Sequence, residues 1–260
     1  MTHSLPNLES MIVIPARMHS TRLPKKMLLS ETGKPLIQHT YEAASSARFS
    51  QRTVVATDHL DIVRAVELFG GNVELTDPDA PSGTDRVAEV ADRYPDVDII
   101  VNVQGDEPEI SGSAIDLVIK LLSEDSTAMM ATLATPIHDR NQVEDPSCVK
   151  VVFDNKQNAM YFSRSPIPFP RDGFERWENA EKPGGICGNY FQHIGIYGYR
   201  REFLGKFSQL GISSLEEIEN LEQLRVLQCG YRIKIATIAE PTIGIDTVAD
   251  YQAFVKRCRC

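Results

Sequence analysis

Short apolar runs rich in β-branched residues alternate with segments of helical periodicity through the first half of the chain. The predicted strands are Met11–Pro15, Thr53–Thr57, Val73–Leu75 and Ile99–Val103, and the helices that follow them are Leu36–Arg48, Asp61–Phe69, Thr84–Arg93 and Ser113–Leu122. This alternation is typical of βαβ units. We therefore expect an α/β fold, with a mostly parallel sheet and helices on both faces.

The pattern changes beyond about Ala128. The next predicted strands, Met129–Ala134, Val149–Phe153, Ala159–Phe162 and Ile194–Tyr199, are less regularly separated by helices. We expect a mixed or antiparallel excursion there. Residues 165–188 are rich in proline and glycine, which predicts a long loop of the kind that forms lids and binding loops.

The last part of the chain returns to helical periodicity. Ser214 and Glu217 have the spacing of a capping box, which predicts one helix from Ser214 to about Gly230. A strand, Ile233–Ile238, follows, and Thr247 is expected to cap a final helix that ends near Arg257.

Composition narrows the class of protein. With 260 residues and 42% hydrophobic content, the chain can bury a large core, and we expect residues 11–260 to form a single domain. The net charge of −9 disfavours a nucleic-acid partner. We expect no membrane association and a cytoplasmic location, because the sequence shows neither a signal peptide nor an apolar run long enough to cross a bilayer. The five cysteines are widely spaced, which fits reduced thiols.

A cluster of cations follows the first predicted strand. Arg17, Arg22, Lys25 and Lys26 lie within ten residues, at the edge of the sheet where open α/β folds bind ligands. The loop has neither the Walker A pattern nor Gly-x-Gly-x-x-Gly, so side chains would bind phosphate oxygens where those motifs use backbone amides. Arg17 and Lys26 would contact the oxygens, with Ser20 as a hydroxyl donor.

Two aspartates follow other predicted strands. Asp106 comes after Ile99–Val103 and Asp246 comes after the last strand. If the two converge, they predict a Mg²⁺ site, because Mg²⁺ commonly takes one or two protein carboxylates and leaves its other positions to phosphate and water. The alternative for Asp106 is a residue at a helix start that is stabilised by the helix dipole.

Other polar residues are ambiguous when taken alone. Ser82 and Gly83 open a predicted helix whose amides could bind an anion or a base edge. His193 and Tyr197 share one face of a predicted strand, where packing is the more frequent explanation. Glu222 and Gln223 flank an apolar helical stripe and would ordinarily be solvated.

Taken together and in order, these segments resemble the 3-deoxy-manno-octulosonate cytidylyltransferase (CMP-Kdo synthetase) family from about Met11 to Val255. The motifs that carry the resemblance are Pro-Ala-Arg-x-x-Ser-Thr-Arg-Leu-Pro-x-Lys at 15–26, Gly-Lys-Pro at 33–35, Val-Ala-Thr-Asp at 55–58, Ser-Gly-Thr-Asp-Arg at 82–86, Val-Gln-Gly-Asp-Glu-Pro at 103–108, Tyr-Phe-Ser-Arg at 161–164, His-Ile-Gly-Ile-Tyr-Gly-Tyr at 193–199 and Leu-Glu-Gln-Leu-Arg-Val at 221–226.

The resemblance implies a mononucleotide-binding, Rossmann-like fold of the nucleotidyltransferase type. It implies a homodimer that uses Mg²⁺ to transfer CMP from CTP to the anomeric hydroxyl of 3-deoxy-D-manno-octulosonate (Kdo), releasing pyrophosphate, for lipopolysaccharide biosynthesis. Residues 128–200 would contain the sugar-side and dimerisation excursion, and residues 1–10 would be an N-terminal extension.

The resemblance also assigns roles to residues. Arg17, Ser20 and Lys26 match positions that bind the triphosphate, and Asp106 and Asp246 match magnesium ligands; Arg17, Lys26, Asp106 and Asp246 are thus the expected catalytic set. The cytidine would be recognised by Ser82, Gly83, Arg86 and Gln104. The acidic sugar would be received by Arg164, His193, Tyr197, Glu222 and Gln223, which reverses the packing and surface interpretations of the last four.

Some positions depart from the family pattern. Lys25 stands where the family commonly has glycine, Asp85 replaces a frequent glutamate, and residues 165–188 match poorly. Two alternatives remain open: CMP transfer to a related acidic sugar, such as 8-amino-Kdo or sialic acid, and a nucleotide-binding protein of the same fold without turnover.

Overall fold

The fold is organised around one sheet of nine strands in the computed structural model, which describes residues 8–20, 22–171, 189–207, 209–239 and 243–259. The strands are β1 (Ser10–Ala16), β2 (Arg52–Thr57), β3 (Val73–Leu75), β4 (Ile99–Asn102), β5 (Met130–Pro136), β6 (Lys150–Phe153), β7 (Ala159–Ser163), β8 (Phe191–Arg200) and β9 (Ile233–Thr237).

The helices that surround the sheet alternate with these strands. They are α1 (Leu36–Ala44), α2 (Leu60–Leu68), α3 (Gly83–Asp92), α4 (Gly112–Glu124), α5 (Arg140–Glu144), α6 (Arg201–Phe207), α7 (Ser214–Glu219), α8 (Leu224–Gln228) and α9 (Val248–Cys258). A short 3-10 helix spans Lys26–Leu28.

Half of the sheet is parallel, as the βαβ pattern predicts. The path runs β3-β2-β1-β4-β8-β5-β9, and the pairs among β3, β2, β1 and β4 are all parallel. Every residue of β1 is buried, which is typical of a parallel strand covered on both faces. The loops that follow these strands therefore lie at one edge of the sheet.

The antiparallel excursion predicted for the second half is also present. β8 pairs antiparallel with both β4 and β5, while β5 and β9 are parallel. The β6–β7 hairpin continues from β8, because β6 pairs antiparallel with it. A single strand, β8, thus joins the parallel half to the rest of the sheet.

Apolar side chains cover both faces of the sheet. Ile12 and Ile14 of β1 belong to one cluster, together with side chains of α1, α2 and α4. Met11 and Val13 point to the opposite face and belong to a second cluster, with side chains of α3, α6 and α8. This alternation follows from the period of two residues in a strand, and it confirms the prediction of helices on both faces.

The helix predicted from Ser214 to Gly230 is wrong in two respects. The chain forms two short helices, α7 and α8, because Asn220 adopts a left-handed conformation with φ of 51° and ends the first. The capping box is formed by Ser213 and Glu216, one residue earlier than predicted. Asparagine tolerates this conformation better than most residues, so the break has a local cause.

The long loop predicted at 165–188 is only partly described. Residues 165–171 contain no helix or strand, and residues 172–188 lie outside the described part. Within the described ranges, no helix is long and apolar enough to cross a membrane. The domain boundaries predicted from the sequence stay predictions.

Candidate active site

A pocket of about 570 Å³ opens at the carboxyl edge of the parallel strands, next to the start of α3. Its volume is in the range of small-molecule sites. The pocket brings together eight of the residues predicted to bind nucleotide or metal: Arg17, Ser20, Lys26, Ser82, Gly83, Gln104, Asp106 and Asp246.

Lys26 lies at the centre of the charged groups in this pocket. Its side chain is 8% exposed, and its ammonium lies 2.5 Å from Asp106 Oδ2 and 3.5 Å from Asp246 Oδ1. It also donates a hydrogen bond of 2.8 Å to the carbonyl of Ile245. The two carboxylates thus converge on one cation, as the prediction of a metal site requires.

The backbone around Asp106 is tied to its surroundings. The Thr40 hydroxyl of α1 donates to the carbonyl of Gly105 at 2.8 Å, and the amide of Ile245 donates to the carbonyl of Asp106 at 2.8 Å. A Cβ on Gly105 would lie 3.0 Å from the Pro15 carbonyl oxygen and 2.9 Å from a sulfur atom. A side chain at position 105 would crowd the backbone of β1, so glycine suits this close approach.

The two aspartates suit a hard divalent cation. No cluster of three or more His, Cys, Asp or Glu side chains with metal-binding geometry occurs among the described residues. A pair of carboxylates nevertheless fits Mg²⁺, which takes its other ligands from phosphate and water. Asp106 and Asp246 are the residues that would hold it, and the metal stays a prediction.

The remaining cations of the first loop are more exposed. Arg17 is exposed at the pocket wall, and Arg22 Nη1 lies 3.5 Å from Asp246 Oδ2. Lys25 is exposed and has a left-handed backbone, with φ of 54°. His19 also lines the pocket; the sequence interpretation missed it, and only its place in the same loop could have indicated it.

The start of α3 forms another wall of the pocket. Ser82 caps the helix, since its hydroxyl oxygen accepts from the amide of Asp85 at 3.1 Å and its hydroxyl donates to the Asp85 carboxylate at 2.7 Å. Gly83 follows at the first helical position. The free amides of this first turn can donate to phosphate or to acceptor groups of a base.

Arg86 is placed differently from the other predicted nucleotide residues. It is 1% exposed and is absent from the pocket wall. Its guanidinium donates to Asp58 Oδ2 at 3.0 Å, to the Asp77 carbonyl at 3.2 Å, and to the Thr76 hydroxyl. These contacts support the loop that leads to Ser82, and a direct contact with cytidine stays a prediction.

Three of the predicted sugar residues, His193, Tyr197 and Glu222, lie close together beside β8. The rings of His193 and Tyr197 are 5.4 Å apart on β8, and the Thr132 hydroxyl lies 3.0 Å from His193 Nε2. Burial lowers the pKa of His193 to about 3, so its imidazole is neutral at physiological pH. Burial and the Glu222 carboxylate raise the pKa of Tyr197, which keeps its phenol protonated.

Glu222 and Gln223 occupy the turn between α7 and α8, and neither is an ordinary surface residue. Burial raises the pKa of Glu222, while a 2.8 Å hydrogen bond from Thr84 lowers it. Gln223 is 3% exposed, and its buried Nε2 has no hydrogen-bond partner among the described residues. A buried donor without a partner is costly and suits a ligand that accepts from it.

Arg164 faces the same turn rather than the rings on β8. Its guanidinium donates to the carbonyls of Glu219 at 2.7 Å, Asn220 at 3.2 Å and Pro146 at 3.1 Å. The Glu219 carboxylate in turn accepts from the amide of Arg164 at 2.9 Å. Arg164 thus holds the backbone just before Glu222, and its predicted contact with the sugar stays a prediction.

Comparisons with known proteins identify the family. The family model described as Cytidylyltransferase matches residues 11–235. A 3-deoxy-manno-octulosonate cytidylyltransferase of Rhodopirellula baltica is 48% identical over 251 residues, which are 96% of this chain and 98% of that protein. This chain belongs to the 3-deoxy-manno-octulosonate cytidylyltransferase family. Another protein of that name, from Geotalea uraniireducens, is 45% identical over 252 residues, which are 95% of this chain and 98% of that protein.

A solved structure extends this similarity to three dimensions. CMP:2-keto-3-deoxy-manno-octonic acid synthetase complexed with CTP matches with a TM-score of 0.87 and 41% identity, covering 96% of this chain and 98% of that one. The cytidylyltransferase match at 11–235 includes every predicted site residue except Asp246. The nucleotidyltransferase fold predicted from the motifs is confirmed.

Proposed function

We propose that this protein transfers CMP from CTP to the anomeric hydroxyl of Kdo and releases pyrophosphate, giving CMP-Kdo for lipopolysaccharide biosynthesis. The observation that carries the proposal is the convergence of Lys26, Asp106 and Asp246 in a pocket, within a chain whose relatives carry this enzyme's name over nearly their whole length.

The charges of the substrates determine what the residues must do. The sugar hydroxyl oxygen forms a bond to the α-phosphorus of CTP, the bond from that phosphorus to the β-phosphate oxygen breaks, and the hydroxyl proton leaves. Both reactants are anionic, so catalysis depends on positioning and charge neutralisation rather than on a covalent intermediate. Arg17 and Lys26 would bind the triphosphate oxygens, with Ser20 as a neutral donor.

We propose that Asp106 and Asp246 bind Mg²⁺ in the complex with CTP. Each directs a carboxylate oxygen toward the Lys26 ammonium, which supports their sharing a cation. When bound, magnesium neutralises phosphate charge as a Lewis acid. Lys26 would contribute a second positive charge beside it, because its ammonium is held near both carboxylates.

The sugar would bind beside β8 and the turn between α7 and α8. His193 is neutral and Tyr197 keeps its proton, so both can form hydrogen bonds with sugar oxygens without adding charge. The buried Nε2 of Gln223 supplies a donor without a partner in the described structure. Arg164 would act near the sugar by holding the turn that carries Glu222 and Gln223.

We also propose that the protein is a cytoplasmic homodimer without a nucleic-acid partner. The family resemblance supports the dimer, and the negative net charge supports the absence of nucleic-acid binding. Light scattering after size exclusion measures the assembly directly, and a mass of one chain would reject the dimer.

A coupled pyrophosphate assay tests the activity. CTP and Mg²⁺ are supplied with Kdo, 8-amino-Kdo or sialic acid in turn, and EDTA replaces Mg²⁺ in a control. Kdo should give the highest kcat/KM, and EDTA should abolish release. A higher kcat/KM with another sugar would identify that sugar as the preferred acceptor. CTP binding without pyrophosphate release in the presence of any of the sugars would indicate a protein without turnover.

A further inference from the structure

The first turn of α3 lies between the nucleotide pocket and the sugar-side residues. Ser82 and Gly83 line the nucleotide pocket, and Thr84 is the next residue. Thr84 is 4% exposed, and its hydroxyl donates to Glu222 Oε2 at 2.8 Å. The segment 82–84 therefore lines the nucleotide pocket with Ser82 and Gly83 and contacts the sugar-side residue Glu222 through the buried side chain of Thr84.

The charged groups around the Glu222 carboxylate do not neutralise it fully. Asp85 and Glu216 face it with like charge, and Arg225 faces it with opposite charge. Arg225, however, donates to both carboxylate oxygens of Glu216, at 2.6 Å and 2.7 Å. Among the described residues, Thr84 is the group that donates a hydrogen bond to the Glu222 carboxylate.

Two phenols complete the surroundings of Glu222. Burial raises the pKa of the fully buried Tyr199 and of the partly buried Tyr197, and the Glu222 carboxylate raises both pKa values further. Tyr199 also interacts with the Thr84 hydroxyl. Thr84 thus contacts the strand β8 and the turn between α7 and α8 at the same time.

We propose that Thr84 is a positioning residue that orients the Glu222 carboxylate for the sugar and couples sugar binding to nucleotide binding at Ser82 and Gly83. The inference rests on the proposed function. A nucleotide bound against the first turn of α3 fixes the backbone that carries Thr84. Fixing that hydroxyl fixes one oxygen of Glu222 and leaves the other to accept from a sugar hydroxyl. Binding energies coupled in this way are reciprocal.

The ionisation of Glu222 gives this coupling a specific readout. Burial raises the pKa of Glu222 most, and the hydrogen bond from Thr84 opposes that shift. Removing the donor should raise the pKa further. The ionised form is present above this pKa, so the acid limb of kcat/KM for Kdo should move to higher pH in a variant without the hydroxyl.

The experiment compares Thr84→Val with Thr84→Ser, which keeps the hydroxyl, and with Thr53→Val, a buried threonine on β2 outside the pocket. Thr84→Val should lower kcat/KM for Kdo about tenfold, because a hydrogen bond to a charged group is lost. The Kd for CTP in the absence of Kdo should change less than about twofold, because the lost hydrogen bond lies on the sugar side. Thr84→Ser and Thr53→Val should both show the pH profile of the wild type.

A double-mutant cycle with Glu222→Gln separates positioning from general damage. In the Glu222→Gln background, Thr84→Val should add less than about a twofold effect, because the two residues act as a unit. Fully additive effects would overturn the proposal, as would an unmoved acid limb together with equal losses in CTP affinity without Kdo and in kcat/KM for Kdo. If Thr84→Val does not fold, Thr84→Ala replaces it in the same cycle.

The wild-type protein separates this inference from the proposed function. An active wild type with a Thr84→Val variant that behaves like Thr53→Val would reject the inference alone. Absence of CMP transfer by the wild type, with CTP, Kdo and Mg²⁺ supplied, would reject the proposed function and this inference with it.

Discussion

The ammonium of Lys26 and the carboxylate of Asp106 are 2.5 Å apart in a pocket where the lysine side chain is almost completely shielded from water. The same ammonium reaches Asp246, so one cation balances two acids from distant parts of the chain. This arrangement makes Lys26 a structural partner of the proposed metal ligands, in addition to its proposed contact with phosphate.

Replacing Lys26 by methionine should therefore affect both binding and stability. The free energy of unfolding should fall by about 1–3 kcal/mol, less than for a fully buried ion pair because Asp246 is partly solvated. The KM for CTP should rise at least about tenfold, as a charge-assisted contact is lost. Lys34→Met, which breaks an exposed pair with Glu42, is the control and should cost less than about 1 kcal/mol. Unchanged CTP affinity would contradict the triphosphate role of Lys26.

Asp246→Asn should lower kcat on the order of a hundredfold while changing CTP affinity little, because its proposed role is in charge stabilisation during transfer. Calorimetric titration of Mg²⁺ into the complex with a non-hydrolysable CTP analogue provides a second readout, and the variant should bind the ion more weakly. Asp96→Asn, an exposed acid paired with Arg52, is the matched control. Weaker CTP binding with unchanged turnover would contradict the catalytic role.

Lys25→Gly should raise the free energy of unfolding by about 0.5–1 kcal/mol. A left-handed backbone is unfavourable for lysine and not for glycine, and this gain exceeds the entropy cost of glycine in the unfolded chain. Denaturant unfolding measures the difference. Lys120→Gly in α4 provides the contrast, with a loss of about 1 kcal/mol, because glycine destabilises a helix interior. Equal losses in both variants would show that the backbone at Lys25 carries no strain.

His193 should make the protein sensitive to acid. Its pKa is about 3 in the folded state, below the ordinary value of 6.5, so the unfolded chain binds a proton first as the pH falls. Stability is therefore lost below about pH 6.5, by up to about 1.4 kcal/mol per pH unit until the pH approaches the folded pKa. His193→Gln should remove this slope, whereas replacement of the exposed His138 by glutamine should keep it. Identical slopes in the wild type and His193→Gln would refute the burial argument.

The sequence predicts the strands and the edge that binds ligand because both follow from short-range patterns. Arg17 and Asp106 each come just after a parallel strand, and Lys26 follows Arg17 in the same loop, so all three lie at one edge of the sheet. The break at Asn220 is harder to predict, since hydrophobic periodicity continues through it and the left-handed conformation depends on a single residue.

Directions of long side chains are not encoded in such patterns. Arg86 and Arg164 belong to motifs that indicate ligand contact, yet their guanidinium groups donate to the protein itself. The bond between Thr84 and Glu222 joins residues 138 positions apart and arises from packing between α3 and the turn before α8. Only the folded chain reveals such a contact, because neither residue has a local signal for the other.

The close approach of Gly105 to β1 divides the site into a fixed part and an adjustable part. The backbone that forms the floor of the pocket is in contact with the central strand, so it cannot shift without disturbing the core. Arg17 and Arg22 of the first loop line the same pocket with exposed side chains, so they have room to adjust to different ligands above a floor that stays in place.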